Sequence, residues 1–220
     1  MAFAHPLTAG RDASYESRQM APSRRAGDRE REALARNDRY LREFVEALNL
    51  CPFARRCREE GRLVRRVLLD EYVQPALLRA LAEIDTLPEK QCEVALLVLP
   101  GFADGPQAFH DLCAEVRRHL RQFHCVAFHP ELKADFSDEN RAVQFLRRTP
   151  DPTLQLVRIS TLDRVRGERT GGTVYVGNAA AADIHLPASL SEEIARANLA
   201  TILEHGPMAL TALLQSFQAK

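Results

Sequence analysis

Tryptophan is absent from this chain of 220 residues, and phenylalanine and tyrosine supply only 6% of it. A surface that stacks successive nucleobases draws on aromatic rings, so this scarcity argues against one. Excess charge is missing too, since 30 Lys and Arg balance 30 Asp and Glu. A chain without net charge projects no field that gathers nucleic acid or anionic lipid. The longest apolar stretch, near Ala95 to Pro100, falls far short of the roughly 20 residues a membrane-spanning helix needs. The N-terminus lacks a basic segment followed by an apolar one, so no secretory signal is read there. Neither a nucleic-acid nor a membrane partner is expected, and the expected compartment is the cytoplasm. The five cysteines, an odd number, lie mostly in apolar segments. In a reducing compartment they are expected to stay thiols rather than build a disulfide framework.

What is present is ordinary for a globular chain: 45% hydrophobic and 27% charged residues, close to the average. Residues 1–36 are rich in Arg, Ala, Ser, Pro and Asp with no apolar period, which predicts a disordered N-terminal arm. Residues 37–220 then form a single α/β domain, large enough to bury a core without cross-links. Asn37 or Asp38 caps a helix whose apolar face is Leu41, Phe44, Val45 and Leu48. Cys51-Pro52 opens a short second helix that Gly61 stops.

Strands are predicted at Leu63 to Leu69, Cys92 to Leu99, Phe123 to Phe128 and Thr153 to Ile159. The second carries the densest apolar run and is expected to be buried on both faces. Helices fall between them: one from Gln74-Pro75 bearing Leu77, Leu78, Leu81 and Ile84, one after Asp104, and one over Asp138 to Arg147. A helical turn near Leu162 to Val165 precedes a polar loop at Arg166 to Gly172 and a short edge strand at Thr173 to Val176. Ser189 and Glu192 form a capping box for a helix through Leu203, and Met208 to Phe217 makes the last helix. This order predicts a small mixed or parallel sheet of about four strands with packed helices and C-terminal helices besides. The first three strands should run parallel. Thioredoxin-like and ferredoxin-like topologies both fit.

Three side chains stand out as a candidate catalytic set: Cys51, His129 and Arg148. With Pro52 in the first helical position, Cys51 occupies the N-cap, where unpaired amides and the helix dipole stabilise a thiolate. Arg55 and Arg56 add positive charge. A thiol so activated serves as a nucleophile or a soft-metal ligand; the plainer reading is a packed core cysteine. Cys57 is a poor partner, because six residues of helix rotate by roughly 240°. Cys92, Cys113 and Cys125 fall at apolar positions and read as core. His129 ends the third strand, beyond whose carboxyl end ligands gather in parallel sheets; a structural histidine is the alternative. Arg148 stands before Thr149-Pro150-Asp151-Pro152, where its planar fork can clamp a carboxylate or phosphate, or pair with Asp138. Nucleotide-binding, nucleophile-elbow and zinc-finger spacings are absent from the sequence.

Four strings together resemble one bacterial family. They are Asn49-Leu50-Cys51-Pro52-Phe53-Ala54, Phe128-His129-Pro130, Arg148-Thr149-Pro150-Asp151-Pro152 with Leu154 and Arg158, and Ala195-Arg196-Ala197-Asn198-Leu199-Ala200-Thr201. The family is catalogued as domain of unknown function fourteen-fifteen, and the resemblance spans roughly residues 38 to 205. It implies a soluble bacterial protein and treats Cys51, His129 and Arg148 as a set, but it implies no reaction. Relatives carry Asn-Arg-Ser-Pro-Tyr-Pro where Arg147 to Pro152 stand here, and Gln155 and Ile159 replace a His and a Glu.

Three functions follow. The first is an enzyme acting on a small anionic substrate through a Cys51 thiolate, with His129 as acid or base and Arg148 orienting the anion. The second is a binder of haem or a soft metal through Cys51 and His129. The third is a non-catalytic adaptor whose folded domain docks one partner and whose arm contacts a second, to which a large exposed apolar patch without a pocket would point.

Overall fold

A computed structural model describes residues 24–69, 73–133, 135–136, 139–168, 196 and 199–218. The edge strand expected at Thr173 to Val176 and the Ser189–Glu192 capping box lie outside the described residues, as do residues 1–23 of the expected arm.

Among the described residues the sheet has four strands, β1 (Leu63–Val67), β2 (Val94–Val98), β3 (Phe123–Phe128) and β4 (Thr153–Arg158). They are ordered β1-β2-β4-β3. β1 pairs parallel to β2, whereas β4 pairs antiparallel to both β2 and β3. The first three strands therefore share one direction and the last runs against them, which makes the sheet mixed. Among the described residues strands and helices alternate, without the β-hairpin that a βαββαβ ferredoxin-like unit contains. The fold is defined by its pairing order.

Alternation along β2 divides the core. Val94, Leu96 and Val98 face one layer, and Ala95, Leu97 and Leu99 the other. All five residues of β2 are buried, as a central strand covered on both faces requires. Helices α3 (Val73–Thr86) and α4 (Pro106–Arg117) cover the second face. Leu77, Leu81 and Ile84 point inward from α3, while Leu78 is exposed. The first face is covered by α5 (Glu139–Leu146), by the C-terminal helix α7 (Pro207–Gln218) and by a π-helical segment, Leu41–Glu46. Between α5 and α7, α6 (Ile159–Glu168) follows β4 directly. Its Leu162 closes a small cluster with Val126, Phe128 and Val157. It continues to Glu168, past the point where the sequence suggested a loop.

A helix also occupies part of the expected arm. α1 (Arg24–Tyr40) runs through residue 36 and into the π-helical segment, so Asn37 sits inside a helix rather than capping one. Ala33, Asn37 and Tyr40 form its buried stripe, in a segment polar on average. Its anchors are distant in sequence. Arg36 grips Asp151 with two bonds of 3.1 and 3.0 Å. Tyr40 packs edge-on against Phe217 of α7, over which Arg39 also lies.

Candidate functional site

The turn around Cys51 is built by a change of helical pitch. The π-helical segment ends with the Leu50 N–H donating to the Val45 carbonyl at 2.9 Å, and Asn49 takes a positive φ of 51°. Asparagine tolerates that region better than most residues. Cys51 is extended at φ −138° and ψ 105°, and Pro52 begins α2 (Pro52–Glu59). The far end of α2 closes on Gly61 at φ 68°, with Arg62 N–H reaching the Cys57 carbonyl and Gly61 N–H the Arg58 carbonyl. This is a Schellman closure. Asn49→Val is expected to cost about 1–2 kcal/mol in urea unfolding through its left-handed backbone, and Asn49→Gly much less. Equal losses in the two variants would remove the conformational argument.

Cys51 is thus an N-cap residue, and its side chain makes no capping hydrogen bond. Of the five cysteines only Cys51 reaches solvent; the other four are buried and none is in a disulfide. Cys51 packs beside the cluster of Tyr40, Phe44 and Leu50. Burial pushes the Tyr40 phenol up, and charge on Cys51 pushes it further. The two arginines expected to activate the thiol are engaged elsewhere. Arg55 lies 3.6 Å from Glu46, and Arg56 donates to Glu93 at 2.8 Å. Arg58 forks onto Glu46 at 2.7 and 2.9 Å. Those bonds hold the Glu46 carboxyl below its ordinary range and fix α2 against the π-helical segment. The amide end of α2 lies next to Cys51 and favours negative charge there.

His129 stands just past the carboxyl end of β3, buried to 4% exposure. Its Nδ1 accepts the Glu131 N–H at 3.2 Å, so Nε2 carries the proton and donates to the Asp104 carbonyl at 3.2 Å. Burial depresses its pKa, against the pull of the Asp104 bond and Glu131. The ring lies 5.7 Å from that of Phe109, on the α3–α4 face. A neutral imidazole with both nitrogens bonded to backbone staples two loops. Among the described residues no group of three or more His, Cys, Asp or Glu is placed to hold a metal ion.

Arg148 joins the same turn. Its Nε donates to the Pro130 carbonyl at 3.3 Å, and its guanidinium lies 5.6 Å above the Phe145 ring. Among the described residues no partner bonds its two terminal nitrogens, and the side chain is half-buried. The structure thus brings His129 and Arg148 to one turn. Cys51 and Phe145 belong to the layer on the opposite sheet face from the His129 ring. An open groove of about 1080 Å³ adjoins the Asp104 loop, lined by Phe102, Asp104, Asp111, Leu112, Glu115 and Arg118 among others. Three carboxylates against one guanidinium make it a poor receptacle for an anion.

Sequence reasoning missed Glu93, which sits at the other end of the sheet with no exposed surface. Arg56, Arg62 and Arg164 bond its carboxylate, and the Cys57 thiol donates to it at 3.3 Å. Burial alone pushes the Glu93 carboxyl up. The Cys57 and Arg56 bonds, with the charges of Arg56 and Arg62, outweigh that and hold it below its ordinary value. The available signal was a lone acid inside a segment expected to be wholly buried, which demands partners.

A family model described as "Protein of unknown function (DUF1415)" matches residues 32–183. The chain belongs to that family, and the match takes in Cys51, Glu93, His129 and Arg148. No curated protein and no solved structure matches it. No helix among the described residues is long and apolar enough to cross a membrane.

Proposed function

We propose that this member of the DUF1415 family is a cytoplasmic bacterial enzyme that uses a Cys51 thiolate as nucleophile on a small anionic molecule. Arg148 binds the anionic group, and His129 acts as a positioning residue rather than as acid or base. The observation that carries the reading is that Cys51, alone of the five thiols, meets solvent, and does so at the amide end of a helix. Thiolate is the reactive form of cysteine, and a helix N-terminus favours it. The other thiols have the opposite surroundings. Burial, reinforced by the Glu93 bond, pushes Cys57 up to about 12, and burial pushes Cys92 up to about 11. The terminal nitrogens of Arg148 supply a fork for a carboxylate or phosphate. His129, by holding the Asp104 loop to the Glu131 turn, fixes the Pro130 carbonyl on which the guanidinium rests.

Alkylation of the native protein by neutral iodoacetamide and anionic iodoacetate tests both roles. One thiol should react near neutral pH, and that reaction should vanish in Cys51→Ser. Arg148→Gln should lower the iodoacetate rate several-fold and leave the iodoacetamide rate nearly unchanged. Labelling that begins only after denaturation defeats the nucleophile. Equal changes with both reagents defeat the anion site.

A further inference from the structure

The sulfurs of Cys113 and Cys125 lie 3.4 Å apart, on α4 and β3 respectively. Both residues are buried, and neither belongs to the site around Cys51. Two sulfurs already in contact need only a further approach of about 1.4 Å to reach a disulfide bond length. Elsewhere in the chain Cys57 is committed to Glu93, and the Cys92 thiol donates to the Val94 carbonyl at 3.6 Å.

We propose that Cys113 and Cys125 are a site of reversible oxidation, closed to an intramolecular disulfide by a small two-electron oxidant of the peroxide class. Three features support it beyond the contact itself. Arg117 Nε donates to the Cys125 carbonyl at 2.8 Å, which holds the last turn of α4 on the very residue that would be bridged. The connection between α4 and β3 is short, so the bridge closes a small loop without moving distant parts of the chain. Among the described strands β3 lies at the edge of the sheet. Local parting of α4 from a sheet edge exposes both sulfurs at a far smaller cost than global unfolding.

The chemistry balances with hydrogen peroxide as the named oxidant. One sulfur, as its thiolate, attacks a peroxide oxygen; the O–O bond breaks, giving a sulfenic acid and, after protonation, water. The second thiolate then attacks the sulfenic sulfur. The S–S bond forms, the S–O bond breaks, and the hydroxide leaves as a second water. Two thiols lose two electrons and two protons, and the peroxide is reduced to two waters.

The test uses the full chain carrying Cys51→Ser, so that the solvent-facing thiol takes no part. After reduction, removal of reductant and exposure to excess hydrogen peroxide, the protein is unfolded in iodoacetamide, weighed intact and digested without reduction. Four thiols should fall to two. Tryptic peptides 91–117 and 122–133 should be linked, with fragmentation placing the bond at Cys113 rather than at Cys92. Reductant should restore all four. Adding Cys125→Ser to the same chain should abolish the link. Four alkylated thiols after peroxide, sulfinic or sulfonic products without a link, or a bond that maps elsewhere or joins two chains would each overturn the proposal.

Discussion

Replacing Glu93 with Ala is expected to lower the unfolding free energy at pH 7 by on the order of 3 kcal/mol. Removing one member of a buried ion-pair network strands the charges that it balanced. Here that means Arg56, Arg62 and Arg164, whose side chains keep some contact with water and can turn outward. That escape places the figure at the low end of the range for such losses. Glu93→Gln preserves shape and can still accept the Cys57 proton, so it should cost less, about 1.5–3 kcal/mol for the lost charged hydrogen bonds. The pH dependence separates charge from packing. The folded carboxyl titrates below its unfolded value, so its contribution is fully present above the unfolded pKa of about 4.3. It is lost as pH falls through the folded value. Urea unfolding should therefore show the gap between wild type and Glu93→Gln shrinking from neutral pH to below about pH 4. A gap constant over that range would mean that the carboxylate contributes by shape alone.

Arg158 should be no more replaceable. At 4% exposure it donates from Nε to the Cys92 carbonyl at 2.8 Å, from one terminal nitrogen to the Leu87 carbonyl at 2.7 Å, and from the other to Gln122 Oε1 at 2.6 Å. The guanidinium also lies 4.4 Å above the Phe123 ring. One planar group thus ties the end of β4 to the segments leading into β2 and β3 and to the exit of α3. Arg158→Ala strands the buried Cys92 carbonyl and the partly buried Leu87 carbonyl and opens a cavity, and roughly 3–5 kcal/mol is expected. Arg158→Lys keeps the charge but presents one tetrahedral donor group where three directions are needed, so it should recover less than half of the loss. Guanidinium or thermal denaturation of the three proteins decides it. A lysine variant as stable as wild type would show that charge, not the fork, is what matters.

Where the governing signals are local, the sequence disclosed the structure. The cores of β2, β3 and β4 lie where apolar runs between turn residues put them. The Cys51-Pro52 start and Gly61 stop of α2 follow from residue chemistry within one turn. Helix α1 was hidden because what orders it, Asp151 and Phe217, lies more than 100 residues away. Strand order was hidden for the same reason: nothing in Thr153–Arg158 announces that it pairs with β2 as well as β3. The candidate site was legible in its positions but not in its bonding. His129 does end β3, yet its tautomer is set by the backbones of Asp104 and Glu131, which carry no side-chain signature. Arg55 and Arg56 looked available to Cys51 until Glu46 and Glu93 were seen to hold them.

The position of β4 has a bearing on how the molecule is made. β1 and β2 can zip together as soon as both have left the ribosome, because they are direct neighbours. β3 has no such recourse: among the described residues its ladder partner is β4, which ends 30 residues later, at Arg158 rather than Phe128. At typical synthesis speeds that is a wait of roughly 2–6 s, during which an apolar strand has no backbone mate. The nascent chain is therefore most exposed to aggregation, and most in need of a chaperone, in the window between these two residues.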